Sequence, residues 1–298
     1  MQAEIPTYKK IIKHPGRFLL SVVKGFKANQ GMLLSGAVAY YTLLSIIPLF
    51  ILLLVVLSRI VDEAMLLATL TRYLEWVVPG ETETVVTQLE AILKNRQVIS
   101  WVLIGILFLF SSMAFTMLEN AMSVIFFHRV AIRRRHFLFS AVMPYMFILC
   151  LGIGFLVVTI VAGTLLAVEK EHFRIFGLAW SLGPLSGVLL YLMGLGGQIM
   201  MLTAIYMIMP VGQLSIRHAL LGGVAAGLMW EIMRHVLVWY FSTLSFVNVV
   251  YGSLGTVIVA LLSLEVAAMI LLLGAQIIAE FERFDREGNL GFPARMRT

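Results

Sequence analysis

VALLSLEVAAMILLLG, residues 259–274, is an unbroken apolar run except for Glu265 near its middle. With its flanks it extends to 255–279, and about 20 apolar residues suffice for a helix to cross a bilayer. A carboxylate at that depth costs roughly a few kcal/mol on insertion scales, so its surroundings must either lower that cost or use the charge.

The rest of the chain agrees with this reading. Of 298 residues, 60% are hydrophobic and 13% charged, and the mean hydropathy of +0.96 excludes a soluble globular domain of this size. Charge-poor windows of spanning length fall at 32–57, 99–126, 138–167, 185–208, 219–240 and 255–279. The expected fold is therefore all-α and polytopic, one membrane domain with six transmembrane helices. Gly183, Pro184 and Gly187 separate the fourth window from an interfacial approach. No short apolar core with a small-residue cleavage site precedes the first span, so no removable signal peptide is expected. Cys150 lies alone in an apolar stretch and has no partner for a disulfide within the chain.

Orientation follows from the cations. Lys9, Lys10, Lys13, Arg17, Lys24, Lys27, Arg129, Arg133, Arg134, Arg135, Arg217, Arg283, Arg286, Arg295 and Arg297 fall on one side of the six windows. The other side holds Arg59, Arg72, Lys94, Arg96, Lys170 and Arg174. The positive-inside rule then makes both termini cytoplasmic. Residues 1–31 form a cytoplasmic leader. Within it Phe18, Leu19, Val22, Val23 and Phe26 share one helical face and Arg17, Lys24 and Lys27 the other, the pattern of a helix lying on the inner membrane surface. Residues 58–98 are too polar to span, yet two helical periodicities flank Pro79 and Gly80, so an extracytoplasmic helical hairpin is expected there. The tail, 280–298, is expected in the cytoplasm.

Ionisable residues inside the windows are the candidate site. Rises of 1.5 Å per residue place Glu231 about 20 Å and Arg234 about 25 Å beyond Arg217, Glu265 about 22 Å from Glu280, and Glu119 about 15 Å from Arg129. Glu231 and Arg234 are i and i+3 on one face, and His235 is i+4 from the glutamate. Such groups face a bundle interior or a wet cavity rather than lipid, which suggests a polar cavity between the second, fifth and sixth spans. There Arg234 would meet an anion, Glu231 would position it, and Glu265 or Glu119 would exchange a proton. Tyr40 and Tyr41 would line the path beside a bend at Pro48. The competing reading is that these groups only pair and fix helix register.

Other signals have plainer uses. GGVAAG (222–227) and MGLGGQ (193–198) supply small residues for close helix packing, and RVAIRRRH (129–136) is accounted for as a topology signal without nucleic acid. The histidines form no HxxxH or HExxH pair, and there is no phosphate loop and no GxSxG elbow. No metal, cofactor or enzymatic activity is expected.

SGAVAYYTLLSIIPLF (35–50), LMWE (228–231) and YGSLGTVIVALLSLEVAAMILLLGAQIIAEFER (251–283) resemble the YihY/BrkB family, and the likeness extends over nearly the whole chain. The resemblance implies a multispanning protein of the bacterial inner membrane, transporter-like, some of whose relatives are linked to serum resistance. It also carries an older label, ribonuclease BN, which finds no clustered His and Asp ligands here to support it. In that family an aromatic residue commonly stands at the position of Glu265 and a glutamate at that of Gln276. This chain thus has its carboxylate eleven residues, about three helical turns, earlier.

Together these readings lead to the expectation of a secondary transporter or exporter of a small or amphiphilic anionic solute, with membrane lipids as its surroundings. The alternatives are an envelope scaffold or assembly factor docking through the hairpin, and a lipid-handling protein.

Overall fold

The computed structural model describes residues 15–77, 82–94, 101–126, 142, 145–150, 152–154, 157, 160, 174–175, 178–179, 183–210, 214–243 and 253–289. Eight helices follow one another among them: α1 (Pro15–Ala28), α2 (Gly31–Leu57), α3 (Glu63–Val77), α4 (Thr82–Lys94), α5 (Trp101–Ile125), α6 (Gly183–Ile208), α7 (Ile216–Thr243) and α8 (Ser253–Asn289). Between α5 and α6 lies one antiparallel pairing of two-residue strands, β1 (Arg174–Ile175) and β2 (Leu178–Ala179). Among the described residues, five stretches are long and apolar enough to cross a membrane: Gly31–Leu57, Val102–Ile125, Gly187–Ile208, Ile216–Leu237 and Val257–Asp285. They coincide with five of the six expected windows. Most of the remaining one, 138–167, lies outside the described residues; its helical part around Tyr145–Gly154 is apolar.

Three expected boundaries shift. Helix α7 begins at Ile216 rather than 219, after Ser215 accepts the first turn's N–H groups from His218 and Ala219 on its carbonyl. Helix α8 runs on to Asn289, so residues 280–289 belong to the last helix and not to a tail. The apolar period continues there through Phe281 and Phe284, which pack on His218 and Phe18 respectively. Pro184 occupies the first turn of α6, where a missing N–H costs nothing, so it starts this helix.

Helix α2 is central, flanked by α5 and α8; α8 then packs on α7, and α7 on α6. On the α5 side the buried Ser45 hydroxyl donates to the Phe110 carbonyl at 2.9 Å and accepts from Ala114 N–H at 3.1 Å. It thereby inserts into one turn of the α5 ladder and fixes the register of the two helices. Further along α2, Pro48 has no N–H to offer the Leu44 carbonyl, yet the helix continues to Leu57. Tyr145 stacks on Phe108 with centroids 5.2 Å apart and shares a hydrogen bond with Ser111, while Phe115 stacks on Phe147, so this part of the third window lies against α5.

The α6, α7 and α8 contacts depend on glycines. A Cβ at Gly222 would stand 2.3 Å from Ile278 of α8, and one at the adjacent Gly223 would stand 2.3 Å from Thr203 of α6. Neighbouring small residues thus serve two helices, the use of such spacing in lipid. Gly274 gives the same room on α8 for Tyr206, which is fully buried and donates to the Leu271 carbonyl at 2.7 Å. At the far end of α2, helices α3 and α4 close on each other through Leu66, Leu89 and Leu93 around Leu54. Asp62 starts α3 by accepting the Ala64 N–H at 3.0 Å. The turn between α3 and α4, residues 78–81, lies outside the described residues.

Candidate functional site: polar groups within the apolar bundle

The Glu231–Arg234 pair expected from sequence is present, with Arg234 Nη2 donating to Glu231 Oε1. A third member joins it. Tyr191 of α6 donates its hydroxyl to the same carboxylate oxygen at 2.7 Å, and His235 Nδ1 lies 2.8 Å from the Glu231 carbonyl oxygen. The glutamate side chain is 19% exposed and the arginine 50%, so the pair shields its anion and presents its cation. On α7, Gly223, Gly227, Glu231 and Arg234 follow i, i+4, i+8, i+11 along the face that meets α6. Gly222 and Ala226 mark a different face, turned toward Ile278 and Gly274 of α8.

Glu265 belongs to another seam. Its Oε1 lies 3.8 Å from where a Cβ would stand on Gly36, which places the carboxylate against α2. One turn on from Gly36, Tyr40 is exposed and packs edge-on to the half-buried Tyr41, with centroids 5.4 Å apart. Glu119 is half-buried on α5, one turn beyond Phe115, on the side that meets Phe147. The four ionisable residues therefore do not share the single cavity expected between the second, fifth and sixth spans, because α7 turns Glu231 and Arg234, with Gly223 and Gly227, toward α6 and turns Gly222 and Ala226 toward α8.

They do share a level. Gly36 faces Glu265, and Ala226 faces Gly274; about two turns further in that antiparallel register Arg234 comes level with Val266, next to Glu265. Similarly, Ser45 sits between Phe110 and Ala114, so about two turns toward the α1 end Val38 comes level with Glu119. Three seams thus carry polar groups in one belt across the apolar bundle.

A second polar group sits where α1 docks. Asn29 Nδ2 donates to Gln276 Oε1 at 2.9 Å, and Gln276 Nε2 donates to Glu280 Oε1 at 3.3 Å. Beside them His218 Nδ1 approaches Glu282 Oε1 at 3.2 Å, with Glu282 only 3% exposed, and Arg283 stands 3.7 Å from Glu280. Residues 265, 269, 272, 276 and 280 form one face of α8, so Glu265 and this cluster lie on the same stripe, the one that α2 and α1 cover. Sequence reasoning overlooked Tyr191, Asn29, His218 and Glu282. Only the apolar period running past Glu280 hinted that the end of α8 packs. Among the described residues no group of three metal-ligating side chains converges.

Described residues that are helical apart from one two-residue strand pair, with five stretches among them fit to span and close glycine packing between helices, make a polytopic membrane protein. The family model described as virulence factor BrkB matches residues 22–296, and the chain belongs to that family. Among similar proteins is a UPF0761 membrane protein of Azotobacter vinelandii, 25% identical over 258 residues, covering 85% of this chain and 60% of the relative. One from Pseudomonas aeruginosa is 29% identical over 251 residues, covering 82% and 57%, and one from Photobacterium profundum is 26% identical over 276 residues, covering 91% and 83%. The chain thus spans somewhat under two thirds of the first two relatives. No solved structure matches it.

Proposed function

We propose that this protein moves an amphiphilic anion across a bacterial inner membrane, with both termini in the cytoplasm and α3 and α4 on the outer side. The observation that carries the reading is Arg234, half exposed partway along a spanning helix. A cation there has to meet water or an anion rather than hydrocarbon. The Glu231–Arg234 pair uses one guanidinium amine group, and a guanidinium has five N–H donors in all, a fork suited to carboxylate or phosphate oxygens. Leu192, Leu228 and Ile232 are exposed on the same two helices and offer hydrocarbon for the apolar part of such a solute. Glu265, on its own seam at the same level, is the group that would take up a proton. No covalent step is involved.

The test uses purified protein in proteoliposomes containing a short-chain phosphatidylglycerol with a fluorescent acyl group, its redistribution followed by dithionite bleaching. Wild-type protein accelerates redistribution, and Arg234→Ala loses the acceleration while keeping its thermal unfolding temperature. Equal rates with and without protein, or an active Arg234→Ala, would sink the reading. A scaffold role is favoured by one observation, the exposure of Ile60 and Met65 where α2 gives way to α3. It expects substitutions there, and not at Arg234, to disturb the cell envelope.

A further inference from the structure

Helix α1 carries two apolar surfaces, not the single one its sequence suggests. Phe18, Val22, Gly25 and Phe26 lie within a sector of about 100° and turn inward. Val22 and Phe26 are buried, Phe18 meets Phe284 edge-on at 5.8 Å, and a Cβ on Gly25 would stand 2.4 Å from Gln276 Nε2. Leu19, Val23 and Leu20 occupy the next sector of about 100° and remain 59%, 61% and 59% exposed. Lys27 lies between Val23 and Leu20 in that sector, Lys24 and Arg17 fill the sector after it, all three are exposed, and α1 has no acidic residue.

We propose that this outer face of α1 is a docking surface for anionic phospholipid, with Leu19, Leu20 and Val23 among the first acyl carbons and Arg17, Lys24 and Lys27 on the phosphates. Two observations select this occupant. Met32 and Leu33, just past the corner at the start of the spanning helix α2, are exposed as well, so exposed apolar side chains follow α1 in the chain into an apolar span. Lys27 within that sector and Lys24 and Arg17 beside it offer three cations, the complement of a negatively charged leaflet. The corner is held for this role: Gln30 adopts a left-handed conformation (φ 53°), and the Phe26 ring fills the space beside Gly31. Helix α1 is thereby fixed across the end of α2 rather than continuing its axis. The surface is independent of any solute carried by Arg234.

The experiment uses the full chain with Cys150→Ser and Leu20→Cys, labelled at residue 20 with an environment-sensitive fluorophore. Nanodiscs of phosphatidylcholine are compared with nanodiscs of equal parts phosphatidylcholine and phosphatidylglycerol. The expected result is a shift to shorter emission wavelength and weaker aqueous quenching in the anionic lipid. That shift is lost in high salt and in the triple variant Arg17→Gln, Lys24→Gln, Lys27→Gln, and is retained with Lys24→Arg, Lys27→Arg. A label equally wet in both lipids, equally buried in both, or still responsive in the triple glutamine variant overturns the proposal.

Discussion

Gln276 shows how one side chain can hold a junction of three helices. Its carboxamide accepts from Asn29 with the oxygen and donates to Glu280 with the nitrogen, a pair of roles no ionised carboxylate can fill. Gln276→Glu, which restores the residue the family resemblance implies, would set two carboxylates facing each other in a nearly buried site. It should destabilise the protein by about 1–3 kcal/mol, the loss expected when a buried polar group loses its partner. Thermal unfolding of the purified protein in detergent measures this, and an unchanged midpoint would mean that the chain rearranges around the new charge. Gly274 gives a second test at this scale. A methyl there would meet Tyr206 Oη at 2.1 Å, and overpacking of a tight contact costs about 1–3 kcal/mol. Tyr206→Phe removes the oxygen nearest the new methyl, so Gly274→Ala should cost less in that background than in the wild type. The double-mutant cycle should be clearly non-additive.

Among the elements, α1 is the one whose attachment can be tested without touching a span. Its seat on α8 depends on Gly25 having no side chain, since a Cβ would reach Gln276 and Glu280 at 2.4 and 2.8 Å. Gly25→Leu should lift α1 from α8 and speed tryptic cleavage at Lys24 and Lys27 severalfold, read by mass spectrometry of the purified protein. Unchanged cleavage would show that α1 holds its place without that close approach. The spans themselves were legible in the sequence because hydropathy is a property of a segment alone, and α2, α5, α6, α7 and α8 lie where apolar length predicts. The double face of α1 was not legible: Phe18 and Leu19 are neighbours in the periodicity, and only the presence of Phe284 opposite one of them separates their fates. For the same reason the packing of the end of α8 is not legible in its own residues, since it depends on His218 and the α1 corner standing against it.

Across the whole molecule, the sequence was enough to pick out Glu119, Glu231, Arg234 and Glu265 as polar groups at similar depth, because depth follows from counting residues. Which seam each one enters depends on the rotation of a helix against its neighbours, and here adjacent residues decide it. Gly222 and Gly223 turn α7 so that Glu231 and Arg234 meet Tyr191 of α6, while Glu265 meets Gly36 of α2. The body of α7 then stands between Arg234 and Glu265. Residues with no shared partner act independently on stability, whereas residues lining one pocket do not. Glu265→Gln should therefore shift the unfolding temperature by the same amount whether or not Arg234→Ala, which leaves that temperature unchanged by itself, is also present. Their effects on solute movement, in contrast, should not add if both belong to one transport cycle, since losing either step already stops it. Additive stability with non-additive flux would locate coupling in the motion of α7 between its two seams. Strong coupling in stability would instead mean that the two groups meet in the resting molecule, contrary to the packing set by Gly222 and Gly223.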